Sequence, residues 1–126
     1  MMASILVVDD DEDLRHLVAR YLEKSGYVVR CASNGAEALT VMGDCEIDAV
    51  ILDVVMPAMN GPSLIEVMRC YLRWANLPVI LLTGHPNGDE TVRANNLGVK
   101  KLFVKSRFDF PMLLDCLTDV LEGGSH

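Results

Sequence analysis

The sequence has no CxxC pair, no long apolar run, no excess of basic residues and no glycine-rich loop after its first apolar segment. Each absence removes a class of protein. Cys31, Cys45, Cys70 and Cys116 lie far apart, so no disulfide framework is indicated, and a reducing cytoplasm is the simplest compartment. The N-terminus lacks the basic and apolar regions of a signal peptide. No apolar run approaches the roughly 18 residues of a membrane span, so no membrane partner is expected. The net charge of -7 argues against nucleic acid as a direct partner, because a phosphate backbone demands a basic footprint.

What is present is an alternation of short apolar runs and amphipathic stretches. Ser4 to Val8 (SILVV) is rich in branched residues, as a strand buried on both faces requires. Tyr27 to Cys31, Asp48 to Leu52, Leu77 to Leu82 and Leu102 to Val104 are further strands. Leu14, Leu17, Val18, Tyr21 and Leu22 recur at the helical period, with Asp11 as N-cap and Gly26 as stop. Asn34 and Glu37 suggest a capping box for a second helix through Met42. Pro62 with Leu64, Ile65, Met68 and Leu72 predicts a third helix. The fourth, from Asn87 to Leu97, has a thin apolar face of Val92, Ala94 and Leu97 and is expected to be the loosest. Phe110, Leu113, Leu114, Leu117, Val120 and Leu121 mark the fifth. The expectation is an α/β fold: a doubly wound five-stranded parallel sheet with five helices on its two faces. A chain of 126 residues suits one domain, spanning 1–122, and the GGSH at 123–126 reads as an expression-tag remnant.

Such sheets bind ligands beyond the carboxyl ends of their strands. There the sequence places Asp9 and Asp10 after the first strand, Asp53 after the third, Thr83 after the fourth and Lys105 after the fifth. Taken singly, an aspartate or threonine there is more often a cap, and a lysine is more often solvated. Together they converge on one cleft. Carboxylates brought close repel one another unless a cation neutralises them. All-oxygen donors favour Mg²⁺, with Asp10 and Asp53 as direct ligands, Asp9 acting through water and the Val55 carbonyl turned toward the metal. Lys105 and Thr83 remain as donors suited to a phosphoryl group, and Asp53 is a carboxylate that can accept one.

With ILVVDDDEDLR, VILDVVMPAMNG, PVILLTG and LFVK in this order, the chain resembles the receiver domain of two-component response regulators over Ser4 to Leu121. The resemblance implies a flavodoxin-like, CheY-like fold with Asp53 as phosphoacceptor, Asp9 and Asp10 as acidic pair, Thr83 as switch hydroxyl and Lys105 as phosphate-binding lysine. It also implies Mg²⁺ and a phosphoryl group taken from a sensor histidine kinase or a histidine phosphotransfer protein. On this reading the protein catalyses only its own phosphorylation and dephosphorylation. It signals to a downstream protein or an effector domain, as a monomer or weak dimer.

Two positions depart from the receiver pattern. Ser106 stands where proline usually follows the lysine, which leaves either a trans bond with a rearranged loop or a strained cis bond, the latter costing about 3 kcal/mol. Leu102 stands where the switch aromatic is usual, with Phe103 on the opposite face of the strand. Lys100 and Lys101 make the face of the fourth helix, fifth strand and fifth helix basic unless they are merely solvated. Three other readings compete. A phosphatase of the haloacid-dehalogenase type needs a second acid where Val55 stands. A flavin or nucleotide binder needs a phosphate loop where three acids stand. A degenerate receiver acting as a phosphorylation-independent binding module is the remaining alternative.

Overall fold

A computed structural model of the chain describes residues 2–123, so residues 124–126 of the GGSH tail lie outside the described residues. Strand and helix alternate throughout: β1 (Ser4–Val8), α1 (Glu12–Lys24), β2 (Val28–Ala32), α2 (Gly35–Asp44), β3 (Ala49–Leu52), α3 (Gly61–Arg69), β4 (Val79–Thr83), α4 (Asp89–Asn95), β5 (Lys101–Val104) and α5 (Phe110–Leu121). The strands form one sheet in the order β2-β1-β3-β4-β5, and every pairing is parallel.

Strand pleating sends alternate side chains to opposite faces, which divides the interior in two. Leu6, Val8, Val50, Leu52, Val79 and Leu81 pack against Ala38 and Met42 of α2, Leu64, Ile65 and Met68 of α3, and Ala94 of α4. Ile5, Val7, Ile51, Ile80, Leu82 and Phe103 pack against Val18 and Leu22 of α1 and Leu113 and Leu117 of α5. Leu102 and Phe103 thus point into different cores.

Helix ends follow their caps. Asp11 accepts from the Leu14 N–H, Asn60 from Ser63 and Asp109 from Met112. Asn34 accepts from the Glu37 N–H at 2.8 Å, while Glu37 reaches back to the Ser33 N–H, one residue earlier than a capping box would place it. Three periodic assignments shift. Leu17 faces solvent, because the buried stripe of α1 is Val18, Ala19 and Leu22. Helix α3 ends at Arg69, leaving Leu72 in the following turns and 99% exposed. Helix α4 begins at Asp89 after Gly88, which supplies no side-chain cap, rather than at Asn87. Its inward position is filled by Thr91 beside Ala94, while Val92 faces outward.

Candidate functional site

Strand register decides which residues meet. Val8 pairs with Ala32 on one side and Leu52 on the other, and Thr83 pairs with Val104. The ladder then runs one step past the strands. Asp9 N–H donates to the Ala32 carbonyl at 3.1 Å, Asp53 N–H to the Val8 carbonyl at 2.8 Å and Lys105 N–H to the Thr83 carbonyl at 2.8 Å. Asp9 and Asp53 therefore stand beside each other at the carboxyl edge, where strand order reverses between β1 and β3.

The side chains complete a compact charged cluster. Carboxylate oxygens of Asp9, Asp10 and Asp53 lie within 4.8 Å of one another. Asp9 and Asp53 are buried and Asp10 is exposed. Lys105 Nζ sits 2.9 Å from Asp9 Oδ2 and 3.1 Å from Asp53 Oδ2. The other oxygens are held by backbone: Asp53 Oδ1 accepts from the Val54 N–H at 2.7 Å, and Asp9 Oδ1 from the Asp11 N–H at 2.9 Å. Thr83 is fully buried and its Oγ1 accepts from the His85 N–H at 2.9 Å. Val55 follows on the exposed surface.

The negative charge exceeds what one lysine neutralises. Burial raises the Asp53 carboxyl from its ordinary 3.8 to about 6, and the Asp9 charge adds to the rise; Lys105 and the Val54 N–H oppose it without cancelling it. Burial disfavours the Lys105 ammonium, yet the hydrogen bond to Asp9 and the charges of Asp53 and Asp9 outweigh this and raise its pKa. Asp53 rises chiefly because it is buried, and Lys105 because it faces two carboxylates. Oxygen donors with surplus negative charge, one of them open to water, suit a hard divalent cation.

The loop after β3 uses its glycine and its left-handed residue at different positions. Gly61 opens α3, and what it requires is space: a Cβ there would lie 2.8 Å from the Asp53 carbonyl. The left-handed residue of this loop is Ala58, with φ 64°. After β5, all peptide bonds among the described residues are trans. The Lys105–Ser106 link therefore takes the trans alternative, in a turn closed by Arg107 N–H on the Val104 carbonyl at 2.9 Å.

Two residues of this end carry contacts to which the sequence assigns no role. Arg15 Nη1 donates to the Asp9 carbonyl at 2.8 Å; its signal is its place on the first turns of the helix that the acidic loop opens. Thr91 donates to the His85 carbonyl; its signal is a threonine three residues before Ala94, on the inward side of a short helix.

Comparison with known proteins agrees with this geometry. The family model described as "Response regulator receiver domain" matches residues 5–118. The transcriptional regulatory protein GltR of Pseudomonas aeruginosa is 38% identical over 95 residues, covering 75% of this chain and 39% of that protein. Response regulator SaeR of Staphylococcus aureus is 32% identical over 107 residues, covering 85% of this chain and 45% of that one. Among solved structures, the chemotaxis response regulator CheY4 of Vibrio cholerae superimposes with a TM-score of 0.85 at 31% identity, covering 95% of this chain and 99% of that chain. The chain belongs to the response regulator receiver domain family, the signal-receiving module of two-component systems. It spans less than half the length of these two curated relatives.

Proposed function

We propose that this domain accepts a phosphoryl group on Asp53 from a phosphohistidine, with Mg²⁺ as cofactor, and that phosphorylation switches its output face. The observation that carries the reading is the buried Asp53 carboxylate, joined through Lys105 to Asp9 at the carboxyl edge of the sheet. An oxygen of Asp53 attacks phosphorus; the new P–O bond forms as the P–N bond breaks, and the imidazole leaves with the electron pair and takes up a proton from solvent. Asp10, Asp53 and the Val55 carbonyl would hold Mg²⁺, with Asp9 acting through water, and the ion supplies charge neutralisation for the phosphoryl oxygens. Lys105 exchanges one carboxylate partner for a phosphoryl oxygen, and the Thr83 hydroxyl turns to another.

The donor is a sensor histidine kinase or a histidine phosphotransfer protein, which places the domain in the cytoplasm. The output passes to an effector domain or a separate downstream protein. No helix among the described residues is long and apolar enough to cross a membrane. Incubation with acetyl phosphate and Mg²⁺ tests the reading: intact-mass spectrometry should show one added phosphoryl group, lost with EDTA or in Asp53→Ala. A folded protein that never gains the group acts instead as a phosphorylation-independent binding module.

A further inference from the structure

Thr91 is a buried hydroxyl on an otherwise thinly held helix, and phosphoryl chemistry makes no use of it. Its Oγ1 donates to the His85 carbonyl at 2.5 Å, an oxygen that also accepts the Gly88 N–H at 3.1 Å. The N–H of the same His85 donates to Thr83 Oγ1 at 2.9 Å. A hydrogen-bonded chain therefore runs from α4 through one residue of backbone to the hydroxyl at the carboxyl end of β4. His85 precedes Pro86, whose ring restricts the backbone before it, so the two ends of His85 do not turn freely of one another. Helix α4 has seven residues and no side-chain cap. Its other side-chain ties run to α3 and its cap, from Glu90 to Asn60 and from Arg93 to Glu66.

Building on the phosphoacceptor reading, we propose that Thr91 is a positioning residue: through His85 it holds the Thr83 hydroxyl and α4 in one resting arrangement, so that a change at either is felt at the other. When Thr83 turns toward a phosphoryl oxygen, the His85 N–H loses its acceptor. With that bond broken, His85 is released from its resting position, and its carbonyl, still bound by the Thr91 hydroxyl, carries the first turn of α4 with it. The coupling is reciprocal. Removing the Thr91 hydroxyl therefore loosens both α4 and Thr83.

Amide hydrogen exchange with and without a beryllofluoride phosphate mimic tests the chain in wild type, Thr91→Val and Thr91→Ser. In the resting protein, Thr91→Val should speed exchange across residues 89–95 roughly tenfold, as loss of one buried hydrogen bond implies. Adding the mimic should change wild-type α4 exchange strongly but Thr91→Val by less than about twofold, because that helix is already uncoupled. Thr91→Ser keeps the donor and should restore the wild-type response. Equal responses in wild type and Thr91→Val, or no rescue by serine, would overturn the proposal. If Thr91→Val does not fold, Thr91→Cys, with a weaker donor of similar size, carries the same comparison. If the mimic leaves the amide signals around Asp53 unchanged in wild type, the phosphoacceptor reading fails, while the resting-state comparison still decides whether Thr91 ties α4 to Thr83.

Discussion

Lys105 reaches past β4 to Asp53: its Nζ lies 3.1 Å from Asp53 Oδ2 although β5 and β3 are not neighbours in the sheet. The same ammonium lies 2.9 Å from Asp9 Oδ2. One cation thus serves two buried carboxylates, with Asp10 adding a third acid at the solvent edge. Without a metal the domain carries uncompensated negative charge at this edge, as the proposed Mg²⁺ site would require.

That charge gives stability a pH dependence of definite sign. The folded-state pKa of Asp53 is raised from 3.8 to about 6, so the folded protein holds its proton more tightly than the unfolded chain. The stabilisation is full below pH 3.8 and is lost as pH rises through about 6. At about 1.4 kcal/mol per pKa unit, ionised Asp53 costs on the order of 3 kcal/mol above that window. In metal-free buffer at pH 7.5, Asp53→Asn should therefore melt roughly 5 °C or more above wild type, and near pH 4 the gain should vanish. Thermal melts across this range check it. Millimolar Mg²⁺ should raise the wild-type melting temperature and leave Asp53→Asn nearly unchanged.

Ala58 holds a positive φ that costs an L-residue about 1–2 kcal/mol. Ala58→Gly relieves that cost and adds some unfolded-chain entropy. Urea unfolding should show a net gain of roughly 0.5–1 kcal/mol. A loss would mean that the alanine methyl makes contacts worth more than the backbone strain.

The sheet was legible because β1, β3 and β4 are apolar and branched, and a parallel strand buried on both faces tolerates little else. The meeting of Asp9, Asp10, Asp53, Thr83 and Lys105 was legible because parallel topology sends the ends of β1, β3, β4 and β5 to one edge. Helix limits were less so. Periodicity alone extends α3 to Leu72, but the chain turns after Arg69, whose guanidinium is engaged by the carbonyls that follow. Spacing marks Thr91 as inward-facing and places Arg15 on the first turns of α1, but which backbone carbonyl each one meets depends on the loops. In the loop after β3, Ala58 takes the left-handed conformation, and Gly61 is needed for its missing Cβ.

Arg69 closes the opposite end of the molecule. Its Nη1 donates to the carbonyls of Leu77 at 2.9 Å, Ala75 at 3.2 Å and Trp74 at 3.3 Å, and burial pulls its pKa down. Hydrogen bonds from a charged donor contribute about 1.5–3 kcal/mol. Arg69→Met should destabilise by roughly 2–3 kcal/mol in urea titrations. Arg69→Lys should recover less than half, because an ammonium lacks the planar fork. Phosphorylation of the folded fraction should be unaffected.

The lifetime of the phosphoryl group should be set beside Val55 and His85, both exposed at the mouth of the site. Val55 offers no side-chain hydrogen bond to an attacking water, whereas the His85 imidazole can orient one. The apolar wall is expected to dominate. Val55→Asn should shorten the lifetime, and His85→Ala should lengthen it only modestly, followed as decay of phosphorylated protein from about pH 6 to 8. Unchanged decay in Val55→Asn, or a collapse of hydrolysis in His85→Ala, would assign control of the water elsewhere.

The most direct measurement is chemical trapping of the acyl phosphate. After incubation with acetyl phosphate and Mg²⁺, borohydride reduces an aspartyl phosphate to homoserine, and peptide mass spectrometry locates the altered residue. Homoserine at position 53, absent in EDTA and absent in Asp53→Asn, is the expected result. An unmodified residue 53, or homoserine at Asp9 or Asp10 instead, would contradict Asp53 as the phosphoacceptor.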